Sequence, residues 1–158
     1  MTKKRYYIAY GSNLNIPQMR SRCPQATVLG TANIEDYELL FKGSKTGSYL
    51  TIEPCKGASV PVVIWEVTPR DEKALDRYEG FPIFYYKKEF KLHYKGIRTG
   101  LQRTVNAFAY IMHEDRPIGI PSLPYMRTCV QGYDTFFFNR AVLMNAYEKC
   151  RREIYHEG

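Results

Sequence analysis

The sequence predicts an α+β protein folded as one domain, residues 1–158, and three observations predict it. Short apolar strand-like runs fill the first half, a strongly punctuated helix interrupts them near the middle, and two further strands precede an amphipathic C-terminal helix. A chain of 158 residues can bury a core without disulfides or metals. Hydrophobic residues make up 44% and aromatics 15%, with 14 Tyr and 8 Phe, a globular composition whose rings suit cores and pocket linings alike.

The first strand is Tyr7-Ile8-Ala9-Tyr10, and it ends without a linker in Gly11-Ser12-Asn13, three residues that favour turns. A plain turn accounts for this break; so does a loop that presents backbone N–H groups to an anionic or carbonyl-bearing ligand. Residues 15–22 form a short helix, capped by Asn13 or Asn15, with Pro17 in its first turn and Pro24 beyond its end. Strand-like pieces follow at 27–29, 37–41, 49–52 and 60–67. The central helix runs over 69–79: Thr68 is its N-cap, Pro69 opens it, Asp71 and Glu72 occupy the acid-favouring first turn, and Gly80 with Pro82 stops it.

Residues 85–94 alternate, setting Tyr86, Phe90, Leu92 and Tyr94 against Tyr85, Lys87, Glu89, Lys91 and His93, whereas 104–112 is apolar on both sides. They read as an edge-type strand followed by a buried one. The stretch 113–124, with Pro117, Pro121, Pro124 and Gly119, is a long loop and a candidate lid. Residues 134–154 form the last helix, capped by Asp134; Phe136, Leu143, Tyr147, Cys150 and Ile154 give it one apolar face to dock on the sheet or barrel.

Composition also narrows function. The net charge is +7, but the basic residues fall in short scattered groups such as Lys87-Lys88 and Arg151-Arg152, so nucleic acid is not expected as a partner. Cys23, Cys55, Cys129 and Cys150 contain no CxxC pair and the three histidines lie far apart, which argues against a metal site. The five-residue apolar run near the N-terminus is too short for a secretory signal and nothing approaches a membrane span, so no membrane partner is expected and the protein reads as cytoplasmic, with reduced thiols.

Glu79 stands out chemically. It occupies the last turn of the central helix, where the negative end of the dipole disfavours a carboxylate and raises its pKa, a property useful to a proton shuttle; an exposed Glu tolerating a small unfavourable field is the competing reading. Ser12 does not sit in a G-x-S-x-G elbow, and the loop is neither a Walker A nor a G-x-G-x-x-G sequence, so a nucleophilic serine is poorly supported and nucleotides have no specific signal. One tuned carboxylate, a nest of N–H groups and several tyrosines suit a reaction in which the substrate supplies its own nucleophile, as in intramolecular aminolysis.

Tyr10-Gly11-Ser12-Asn13-Leu14, followed at a distance by the ALDRYEGFP segment around Glu79, resembles the gamma-glutamylcyclotransferase-like family over most of the chain. The resemblance implies a small mixed β-barrel or curled sheet with flanking helices. It also implies a cofactor-independent cyclising enzyme that releases 5-oxoproline from a gamma-glutamyl amino acid or gamma-glutamyl amine. Carried over by residue, it makes Tyr10, Gly11, Ser12, Asn13 and Leu14 the loop that holds the glutamyl moiety, with backbone N–H groups of Gly11 to Leu14 as donors. Glu79 becomes the general acid/base, and Tyr85, Tyr110 and Tyr125 line the pocket. Core packing is an alternative role for each tyrosine, and either Tyr85 or neighbouring Tyr86 could face the pocket. The implied partner is a small gamma-glutamyl substrate, and a homodimer is compatible with the sequence. A non-catalytic small-molecule binder on the same fold is the second reading; a basic RNA-binding module is the third.

Overall fold

The computed structural model describes residues 4–43 and 47–156 of the chain. These form five strands, β1 (Arg5–Ala9), β2 (Thr27–Lys42), β3 (Tyr49–Val67), β4 (Tyr85–Gly96) and β5 (Gln102–Met112), closed into a barrel in the order β1-β3-β2-β4-β5. Four α-helices flank it: α1 (Ile16–Arg22), α2 (Pro69–Glu79), α3 (Leu123–Thr135) and α4 (Arg140–His156). Strand pairing is antiparallel except between β1 and β5, which run parallel through Tyr7 and Phe108. Barrel and helices share a core that includes Ile8, Phe41, Ile52, Ile64, Trp65 and Leu75, all fully buried.

The local punctuation acts as its residues dictate. Asn15 caps α1 by accepting from the Gln18 N–H (3.3 Å). Thr68 and Asp71 form a reciprocal capping box on α2, at 3.1 and 3.2 Å, and Gly80 ends that helix in the left-handed conformation at φ 63°.

Tertiary structure changes four of the sequence expectations. The pieces at 27–29 and 37–41 are parts of one strand, as are those at 49–52 and 60–67, because the β2–β3 ladder continues through the polar residues between them. Register shifts at Val28/Gly30 and Glu35/Tyr37 let that ladder bend around the barrel without ending. Strand β4 is not an edge. It pairs with β5 along its length and with β2 at Gly30–Ala32, where the backbones approach so closely that a Cβ on Gly30 would lie 2.2 Å from the Lys95 carbonyl oxygen. Nor is its Tyr85/Lys87 face left to solvent near α2: Tyr85 is buried, and Lys87 bridges Glu72 (2.6 Å) and Asp76 (2.8 Å).

The helix expected over 134–154 is two helices. Ser122 accepts from the Tyr125 N–H (3.3 Å) to cap α3, and Pro124 sits in the first turn, where its missing N–H removes no helical bond. Asp134 lies near the end of α3 rather than at a start, pairs with Arg140, and precedes a break at Phe137, φ 57°. On α4, Leu143 and Cys150 are buried and Tyr147 meets Phe41 edge-on, so that part of the expected apolar face does dock on the barrel. The loop at 113–124 is not a lid. Gly43 N–H donates to the Pro117 carbonyl (2.9 Å), Gly119 N–H to the Phe41 carbonyl (3.2 Å), and Lys42 Nζ to the Glu114 carbonyl (2.7 Å), which ties the loop to the end of β2.

Candidate active site

At one end of the barrel, the break after β1, the end of α2 and the start of α3 enclose a cavity of about 260 Å³. Tyr10, Gly11, Ser12, Asn13, Glu79, Tyr85, Tyr110 and Tyr125 all line it, so residues from distant parts of the sequence converge. Leu14 does not. Its side chain is fully buried and its N–H donates to the Gly11 carbonyl (3.0 Å), closing a turn of 3-10 helix over Ser12–Leu14. A fourth loop donor is thereby removed. By contrast, the N–H groups of Gly11, Ser12 and Asn13 find no protein acceptor among the described residues and are free for a ligand.

The loop is held from behind. Trp65 Nε1 donates to the Asn13 carbonyl (3.2 Å), and Asn15 Nδ2 donates to Gln131 Oε1 (2.9 Å) and the Thr128 carbonyl (3.2 Å) on α3. At Gly11 a Cβ would meet Tyr125 Oη at 3.3 Å and Leu50 at 3.4 Å, so a side chain there has no slack.

Glu79 projects from the last turn of α2 into this cavity, and its carboxylate makes no hydrogen bond or ion pair with any described residue. Burial pushes its pKa up to about 8, against the opposing pull of the Arg22 charge. The tyrosines are neutral partners rather than bases, because burial drives the hydroxyls of Tyr7, Tyr10, Tyr85 and Tyr125 well above their ordinary value. Two spend their protons on backbone carbonyls, Tyr10 on Tyr110 (2.6 Å) and Tyr85 on Leu50 (2.9 Å). Tyr125 accepts from the Leu50 N–H (3.1 Å), which leaves its proton to give. Tyr110 donates to Asp76 Oδ1 (2.6 Å). Between the two neighbours considered, Tyr85 faces the cavity, while the Tyr86 hydroxyl turns away to the Glu114 carboxylate.

Tyr7, Tyr49, Leu50, Tyr78 and Phe84 also line the cavity and were not singled out from sequence. Tyr78 had a signal, being next to Glu79 at the end of a helix; Tyr49 and Leu50 open β3, and only barrel closure brings them near. No three His, Cys, Asp or Glu side chains converge as a metal site among the described residues.

Comparison with known proteins follows the same lines. A family model described as "Gamma-glutamyl cyclotransferase, AIG2-like" matches residues 7–127. Human gamma-glutamylcyclotransferase is 29% identical over 134 residues, covering 80% of this chain and 68% of the human protein. The bovine gamma-glutamylcyclotransferase is 35% identical over 81 residues, covering 47% of this chain and 43% of that one. Among solved structures, a gamma-glutamyl cyclotransferase superposes with a TM-score of 0.74 at 23% identity, over 94% of this chain and 87% of its own. A yeast cyclotransferase specific to glutathione superposes with a TM-score of 0.62 at 11% identity, over 95% and 96% of the two chains. These two likenesses are of fold.

Proposed function

The chain belongs to the gamma-glutamyl cyclotransferase, AIG2-like family, and from that premise we propose that it converts a gamma-glutamyl amino acid or gamma-glutamyl amine into 5-oxoproline and the free amine. The substrate α-amine attacks the substrate's own γ-carbonyl carbon, a five-membered ring closes, and the former γ-amide C–N bond breaks. Atoms balance without water or cofactor. Glu79 takes the proton released by the attacking nitrogen and returns it to the leaving nitrogen, a double duty suited to a carboxyl whose pKa is pushed to about 8. The N–H groups of Gly11, Ser12 and Asn13 are the donors for the oxyanion that forms at the γ-carbonyl oxygen. Holding the chain folded on itself brings the nucleophile to the carbonyl at a high effective molarity, the main contribution the tyrosine-lined walls have to make.

The observation that carries this reading is the placement, on the walls of one cavity, of a carboxylate and a run of N–H groups that have no partner among the described residues. The four free cysteines fit action in a reducing, cytoplasmic setting. The test is to incubate the protein with a panel of gamma-glutamyl amino acids and amines, with chelator and thiol reductant present, and to quantify 5-oxoproline and free amine. Equimolar release is expected from at least one compound. Saturable binding of such compounds without release would favour the non-catalytic binder instead.

A further inference from the structure

Arg22, the last residue of α1, does not line the cavity, yet it touches two of its walls. Its Nη1 donates to Asn13 Oδ1 (2.6 Å), its Nη2 donates to Gln18 Oε1 (2.9 Å), and its guanidinium carbon lies 3.6 Å from the centre of the Tyr78 ring. A guanidinium offers only donors, so it fixes the Asn13 amide with the oxygen toward Arg22 and the nitrogen away. That nitrogen donates to the Tyr7 hydroxyl (3.0 Å). A phenol that accepts this bond keeps its own proton to give, and Tyr7 borders the same cavity as Glu79. On the second wall, the Tyr78 ring lies under the guanidinium while its hydroxyl meets Ser12 Oγ at 3.1 Å.

We propose that Arg22 is a positioning residue of this site: through Asn13 it aims the Tyr7 hydroxyl proton into the cavity, and through Tyr78 it fixes the turn bearing Glu79 and holds a positive charge behind that carboxylate. The catalytic part of this inference rests on the cyclisation reading; the electrostatic part does not. Other groups around Glu79 do not supply such a charge. Tyr7 from β1, Tyr10 just beyond its end, Tyr49 from β3, Tyr85 from β4, Tyr110 from β5 and Tyr125 from α3 line the same cavity, and none of these side chains is a cation. One turn back on α2, Asp76 is bound by Lys87 and Tyr110, so that cation is already matched. Arg22 is the cation that opposes the upward pull of burial on Glu79.

The experiment compares wild type, Arg22→Met and Arg22→Lys. Glutamate labelled with ¹³C at the carboxyl reports the titration of Glu79, its resonance identified by its loss in Glu79→Gln, and kcat and KM are measured on whichever gamma-glutamyl compound the wild type turns over. Arg22→Met should move the Glu79 midpoint up by about one unit, the lower end of what an opposite charge does to a carboxyl. It should also lower kcat about tenfold through the misdirected Tyr7 and Tyr78. Arg22→Lys should hold the midpoint near wild type but not restore kcat, since an ammonium cannot donate as a fork and stack on Tyr78 at once. An unmoved midpoint in Arg22→Met, or activity losses that merely follow the melting temperature, would overturn the inference. If Arg22→Met does not fold, wild-type kcat in Arg22→Lys overturns it. A wild type that releases no 5-oxoproline defeats the cyclisation reading alone, because the titration needs no substrate.

Discussion

Helix α2 carries carboxylates at both ends and treats them in opposite ways. Toward its start, Glu72 is held by Arg5 (3.0 Å) and Lys87 (2.6 Å), and one turn on Asp76 is held by Lys87 (2.8 Å) and the Tyr110 hydroxyl (2.6 Å). In the last turn Glu79 has no partner among the described residues, sits at the negative end of the helix, and has its pKa pushed up to about 8. The residue type is nearly the same throughout; what differs is what the barrel sets opposite. Strands β1 and β4 bring cations to the first two, whereas the cavity brings phenols and apolar surface to the third. The paired end secures the helix against the barrel, and the unpaired end retains a carboxyl whose protonation can change near neutral pH.

The contrast is broken or sharpened most directly at Glu79 itself. Replacing it with Gln keeps the shape but ends proton transfer, so kcat should fall by about a thousandfold in a folded protein. Near-wild-type turnover in that variant would put Glu79 on a par with Glu72. Next in size is Gly11→Val, which pushes a branched side chain toward Tyr125 Oη and Leu50 and should cost about a hundredfold in kcat/KM with the melting temperature little changed. Ser12→Ala, which loses only the bond to Tyr78, should keep most of its activity. The reverse ranking, with a trappable acyl-enzyme in the wild type, would point to a nucleophilic serine.

A stability difference should follow from the same contrast. Glu79 is raised from an ordinary value near 4.5 to about 8, so across that window the unfolded chain releases a proton that the folded chain keeps, and wild-type stability falls as pH rises. Glu79→Gln lacks this loss. Denaturant unfolding should therefore find the variant gaining on wild type between pH 5 and pH 8, by on the order of 3 kcal/mol, and a constant difference would mean that folding does not raise the pKa of this carboxyl. The smallest effect is expected at the paired end, where Asp76→Asn leaves Lys87 with Glu72 as its ion-pair partner and should cost about 1 kcal/mol of stability and only a few-fold in kcat.

How much of this was legible in the sequence depended on how local the cause was. The capping box of α2, its Gly80 stop and the abrupt end of β1 are written in neighbouring residues, and the Tyr10–Asn13 loop and Glu79 could be singled out from them. Helix α3 was hidden because the prolines before Tyr125 read as breakers, although Pro124 falls in the one turn that tolerates it. The long β2 and β3 were hidden because bulges carry a ladder through polar residues that look like its end. Leu14 depended on a turn whose hydrogen bond uses up its N–H, and Tyr49 and Leu50 depended on barrel closure; neither leaves a trace in the residues alongside.

Gly132, in the last turn of α3, lies against the back of the opening loop: a Cβ there would sit 2.5 Å from Leu14 Cβ and 3.0 Å from the Asn15 nitrogen. For anyone rebuilding this chain, that contact works as a keyed joint. Position 132 accepts no side chain unless the loop retreats, so the catalogue of tolerated replacements there is empty for reasons that lie more than a hundred residues upstream. The joint also sets where the chain can be cut. A barrel trimmed before α3 would keep all five strands yet lose Tyr125 from the wall and the abutment behind Leu14 and Asn15, leaving a shell with the right outline and a slack mouth.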